Sequence, residues 1–100
     1  MAEELKKVLE EVRTKSYKDK DSLMKDISKA TNSIHNTLKS ELAKAKKAGK
    51  KVDELEKEID QLVYKLQKLR ENRQKMRIED IKSALVTYLE KAGKIIEKMK

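Results

Sequence analysis

Apolar residues recur at three- and four-residue intervals along almost the whole chain, the spacing that lines side chains along one face of a helix. Leu5, Val8, Leu9 and Val12 form the first such stripe. Glu3 and Glu4 precede it, where carboxylates complement the positive end of the helix dipole. The pattern lapses over "RTKSYKDKDS", residues 13–22, and Asp21 or Ser22 is the expected N-cap of the next helix.

A second frame opens at Met24 and runs through Ile27, Thr31, Ile34, Leu38, Ala45 and Ala48, widened by Leu23, Ala30 and Leu42. Val52, Leu55, Ile59, Leu62, Leu66, Leu69 and Met76 continue it in the same heptad phase. Phase alone would allow one helix over residues 22–76. Local chemistry opposes it. Gly is the preferred residue just past a helix end, and Gly49 stands between a lysine-rich turn and an acidic one. Asp53 and Glu56 also have the spacing of a capping box, with Asp in place of Ser or Thr. Two helices joined at Gly49 are therefore expected.

A last stripe comprises Ile78, Ile81, Leu85, Leu89, Ala92, Ile95 and Met99. At 3.6 residues per turn, the step from Leu69 to Ile78 rotates the apolar face by about 180°. A turn near residues 72–79 removes that conflict, with Asn72 as the stop. Gly93 lies inside the stripe, where a close helix contact would account for it. The expected fold is all-α: one domain, an antiparallel bundle of three long helices plus a short N-terminal helix, with coiled-coil-like packing. The helices fall at about 3–15, 22–48, 53–73 and 78–99, and short connections make the last three antiparallel neighbours.

Composition narrows the chemistry. Charged residues make up 44% of the chain and hydrophobic ones 37%, with no Pro, Trp, Phe or Cys, so the core is built from Leu, Ile, Val, Met and Ala. Without cysteine there is no disulfide, thiolate nucleophile or cysteine zinc site, and the single histidine, His35, cannot form a histidine metal cluster. No Gly-rich phosphate loop and no nucleophile–base pair appears. Asp19 and Asp21 lack the Gly and the later Glu of an EF-hand loop. The chain is read as non-enzymatic, without cofactor, metal or small-molecule substrate. No apolar run reaches the roughly 18 residues of a membrane span, so a soluble, cytoplasmic protein is expected.

Net charge is +8, and the excess is local: residues 22–52 hold eight lysines against Asp26 and Glu41. Lys44, Lys46, Lys47, Lys50 and Lys51 crowd the expected hairpin tip. There they either complement a helix C-terminus or contact phosphates. Arg70, Arg73 and Arg77 recur at helical spacing, with Arg73 at a core-type position. They either snorkel at the end of the bundle or hold an anion. Tyr17, Tyr64 and Tyr88 are the only aromatic residues, so nucleic-acid binding here would be non-specific and salt-sensitive.

Asn32, Ser33, Asn36, Thr37 and Ser40 form an uncharged polar strip in a chain otherwise dense in charge, bordered by His35. These are mediocre helix formers. Small neutral groups suit close approach by the first helix, by a second copy, or by a partner. Asn32, Ser33, Asn36 and Ser40 are the candidate partner-binding residues.

The stretch "LMKDISKATNSIHNTLKS", residues 23–40, resembles the second helix of the N-terminal three-helix domain of syntaxins. The likeness lies in Leu23-Met24, Asp26-Ile27, Lys29, Asn32 and Leu38-Lys39-Ser40. It extends over eighteen residues. The first helix here is shorter than in that domain, and a membrane anchor is not expected.

The leading functional expectation is an interaction or assembly module that binds a protein partner, or its own copy, through helix faces. Non-specific nucleic-acid binding through the lysine and arginine clusters is the first alternative. The second is a designed bundle, with or without a grafted binding helix, to which the regular ends "EELKKVLEEV" and "DELEKEID" are suited.

Overall fold

A computed structural model describes residues 2–99. Four α-helices follow in order: α1 (Ala2–Thr14), α2 (Lys20–Lys47), α3 (Asp53–Asn72) and α4 (Ile78–Met99), with a single 3-10 turn, Arg73–Lys75, between the last two. No strand occurs among the described residues. The all-α bundle read from the sequence is the observed architecture.

The chain between α2 and α3 turns where Gly49 stands. Gly49 has φ of 79°, in the left-handed region that residues with a Cβ avoid. Its N–H donates to the Lys46 carbonyl, and the Lys50 N–H donates to the Ala45 carbonyl, at 3.0 and 3.1 Å. These are the two bonds of a Schellman motif, and they satisfy carbonyls that the helix end would otherwise orphan. The continuous phase across residues 22–76 is thus shared by two helices that meet a common core from opposite directions.

Two caps differ from expectation. Asp19, not Asp21 or Ser22, caps α2, and its carboxylate accepts from the Ser22 N–H at 2.8 Å. That bond holds the Asp19 carboxyl below its usual pKa. At α3 the N-cap is Val52, which has no side-chain acceptor, so the Asp53–Glu56 capping box does not form. Asp53 lies inside the first turn, and Val52 is buried instead. Burial of an apolar residue outweighed the capping preference there.

Neighbouring helices in the sequence run in opposite directions, so α2 and α4 are parallel and α1 is antiparallel to both. Ser33 meets Glu4 at one end of the α1–α2 contact, and Asp26 meets Lys15 at the other. α2 and α4 touch each other directly, and α1 and α3 each pack against both. The bundle is therefore a flattened rhomb: α2 and α4 form the middle pair, with α1 and α3 in the two grooves beside it. Its extents of 46 × 23 × 16 Å match, because one helix-to-helix spacing of ~8–10 Å spans the thin direction.

One core joins all four helices. Leu23, Ile27, Ile34 and Leu38 of α2 meet Leu62 and Leu66 of α3 and Ile81, Leu85, Leu89 and Ile95 of α4, with Val12 entering from α1. No buried side-chain nitrogen or oxygen among the described residues lacks a partner. No described helix is long and apolar enough to cross a membrane.

Candidate interaction surface

The uncharged strip on α2 divides along its length. Ser33 and Thr37 are buried, at 6% and 5% exposure, and Ser33 lies on the side of α2 that α1 covers. The Ser33 hydroxyl donates to Glu4 at 3.2 Å. Asn32, Asn36 and Ser40 remain exposed, as does His35. Adjacent residues on a helix are about 100° apart, which suffices to put Ser33 under a neighbour and Asn32 in solvent.

Around Asn32, Asn36 and Ser40 the side chains of α2 itself are strongly one-sided in charge, with Glu11 of α1 and Glu56 and Asp60 of α3 on the flanks. At 3.6 residues per turn, the outward face of α2 carries Lys25, Lys29, Asn32, Asn36, Lys39, Ser40, Ala43 and Lys47, all exposed. Past Asp21, α2 has only two carboxylates, and both are turned away from this face. Asp26 points toward the α1–α2 connection, where it accepts from Lys15 at 3.2 Å and from the Tyr17 hydroxyl, with 14% of its side chain exposed. The Glu41 side chain is 17% exposed and lies 3.8 Å from Lys44. From residue 22 to residue 47 the face presents ammonium, amide, hydroxyl and methyl groups without an acid. Sequence reading found the amide strip and the lysine excess, but not that the carboxylates turn inward, which depends on where α1 packs.

The hairpin tip is more self-contained. Lys46 pairs with Glu56 at 2.6 Å, joining α2 to α3. Lys50 donates to the Met99 carbonyl at 3.0 Å and so caps the C-terminal end of α4. Lys44 has the Glu41 contact above. Lys47 and Lys51 make no ion pair among the described residues.

The arginines lie at the other end of the molecule. Arg73 is half-buried in the 3-10 turn, and its guanidinium donates to the Arg70 carbonyl at 2.7 Å, closing the end of α3. Arg70 and Arg77 are exposed. With the lysine tip where α2 meets α3 and the arginines where α3 meets α4, the bundle's length separates the two basic clusters. The fold does not merge them into one cradle.

Tyr64 is the one large apolar side chain that stands out in solvent among the described residues, at 58% exposure, with the Lys68 ammonium 5.5 Å from its ring centre. Open grooves of about 320 Å³ between α1 and α4, and about 290 Å³ between α2 and α3, are shallow clefts lined by helix flanks. Among the described residues, no group of three His, Cys, Asp or Glu side chains converges as a metal ion would require.

No family model, curated protein or solved structure matches the chain.

Proposed function

We propose that the chain is a non-enzymatic interaction module whose contact surface is the outward face of α2. One observation carries this reading: the face of α2 without a carboxylate of its own, where Asn32, Asn36, Ser40 and Ala43 surround a single central lysine, Lys39, and further lysines stand at both ends. A face that met only water would favour alternating Glu and Lys, which serve helix propensity and solubility better than Asn and Ser. Small neutral groups at the centre allow a second helix to approach at low desolvation cost, and peripheral lysines steer it.

The same arrangement favours a protein partner over a duplex. Phosphate binding places cations where the backbone approaches most closely. Here the centre of the ridge holds one lysine, Lys39, among amide, hydroxyl and methyl groups, and most of the tip lysines are engaged within the chain.

The test is backbone amide NMR of the labelled protein in 0.1 M salt. Its arms are dilution, addition of a 21-residue Glu/Ala helical peptide, and addition of a 20-base-pair DNA duplex. Shifts that cluster on residues 25–47 of α2, on concentration or with the peptide, support the reading. A response to duplex alone, or no response in any arm, overturns it.

A further inference from the structure

An open cleft of about 550 Å³ lies between the start of α2 and the end of α3. Met24 of α2 lines one side; Gln67, Arg70, Glu71 and Arg73 line the other. Residues three apart share a helix face, which is why Gln67 and Arg70 meet here and why Arg73, just beyond the end of α3, follows them. Lys20 stands one helical turn before Met24, and its ammonium donates to the Gln74 carbonyl at 3.1 Å, beside Arg73. Sequence spacing grouped Arg77 with the other two arginines. In the fold Arg77 does not line the cleft, and Lys20, remote in the chain, adjoins it instead.

Bases outnumber acids around this cleft. Within a turn of Met24, α2 carries Lys20 and Lys25 against Asp21, while Asp26 is held at the α1–α2 connection by Lys15 and Tyr17. On the other side Arg70 and Arg73 face Glu71, the one carboxylate that lines the cleft among the described residues, and Lys68 pairs with it at 3.2 Å. Glu79 and Asp80, in the first turn of α4, do not line it.

Capping explains part of this arrangement. The carbonyl end of a helix repels anions and attracts cations. Arg73 covers the Arg70 carbonyl and Lys20 covers the Gln74 carbonyl. Each bond uses one donor, of the five on a guanidinium and the three on an ammonium. Capping does not explain the Arg70 side chain, which is exposed and makes no ion pair among the described residues. The two caps hold Arg73 and Lys20 in place and cover the carbonyls that would oppose an anion, and Arg70 adds a second guanidinium.

We propose that this cleft binds a small phosphate-bearing anion, with Arg70 and Arg73 as the forked donors and Lys20 as a third cation. A terminal phosphate offers three acceptor oxygens, against two on a carboxylate, so it can engage two guanidinium groups and an ammonium together. Guanidinium matches such oxygens in pairs, which an ammonium cannot do. The volume falls within the ~300–1,000 Å³ of small-molecule sites. The cleft is open to water, so the charges are screened and binding is weak, on the order of millimolar. The site is independent of the outward face of α2.

NMR of the backbone amides and arginine side chains of the labelled full chain tests the site. The titrant is sodium pyrophosphate, to about 10 mM in 0.1 M salt, and circular dichroism melts verify the folding of each variant. Saturable shifts are expected at residues 20–24 and 67–75 and at the Arg70 and Arg73 guanidinium groups. These lie outside residues 25–47, which report on the α2 face, so the two readings stand or fall separately. Sodium acetate at the same concentration should shift the same signals little. Arg70→Gln leaves both caps in place and should weaken binding about tenfold. Arg70→Lys keeps the charge but loses the fork, and should weaken binding about threefold or more. Lys94→Gln, which removes one charge outside the cleft, should change binding by less than about twofold. The site is overturned by the absence of saturable shifts, by shifts of equal size at the lysine tip, or by an equal response to acetate. It also falls if Lys94→Gln weakens binding as much as Arg70→Gln, or if Arg70→Lys binds like the parent, since either result means attraction by positive charge alone.

Discussion

The Tyr17 hydroxyl donates to the carboxylate of Asp26, tying the α1–α2 connection to the flank of α2. Lys15 completes the site, with its ammonium 3.2 Å from the same carboxylate oxygen and 5.4 Å from the Tyr17 ring centre. The Lys15 carbonyl in turn accepts from Lys82 of α4 at 2.9 Å. A five-residue connection is thereby fixed to two helices, and this fastening determines where α1 lies.

Burial first, then the hydrogen bond to Asp26 and its negative charge, push the Tyr17 phenol above its ordinary pKa of 10.0. The folded state therefore favours the neutral phenol. This contribution to stability is complete below pH 10 and is lost as the pH rises above it, because the unfolded phenol ionises first. Tyr17→Phe should lower stability by about 1 kcal/mol at neutral pH, the net worth of one hydrogen bond. It should also flatten the decline between pH 10 and higher values. Urea unfolding of both proteins across that range measures the two effects; parallel alkaline limbs would show that Tyr17 is not the group responsible.

Gly49→Ala should destabilise the fold by about 1 kcal/mol or more, because the left-handed conformation disfavours a Cβ even in open space. Nothing lies within 4 Å of a Cβ built there, so no clash contributes and the backbone cost is isolated. Thermal melting followed by helix ellipticity is the measurement, and a melting temperature equal to the parent's or higher would contradict the Schellman turn.

Gly93→Ala should have the opposite sign. Gly93 is helical, and a Cβ there would also meet nothing within 4 Å, so the close helix contact expected at this position is absent. The residue lines the open groove between α1 and α4 beside Leu5, Leu9 and Ile96. Alanine should raise stability by up to about 1 kcal/mol through helix propensity alone. A loss of stability on substitution would mean that the groove closes more tightly than the structure shows.

Asn36→Glu and Thr37→Glu, on adjacent residues, should differ by several-fold in their effect on folding. Asn36 is exposed, so a carboxylate there should change monomer stability by less than about 0.5 kcal/mol. Thr37 is 5% exposed in the core-facing flank of α2, and a carboxylate there should cost more than about 2 kcal/mol. Equal losses in the two melts would place the boundary between covered and open faces elsewhere.

The helix limits were legible in the sequence because the forces that set them are local. Apolar spacing, the Gly49 stop and the reversal of face between Leu69 and Ile78 act within a turn or two, and the observed helices begin and end within two residues of the expected positions. Val52 marks the limit of that logic: its burial against the core displaced the cap that Asp53 and Glu56 spelled out. Charge excess and the amide strip were equally visible as composition. Which strip residues reach solvent was not, since it depends on how the other helices settle around α2, burying Ser33 and Thr37 while leaving Asn32 and Asn36 open. Periodicity records which face of each helix is apolar, because every residue carries that information itself. The order of the helices around the core, and hence the outward faces, is settled by packing between segments remote in sequence, where no single residue holds the answer.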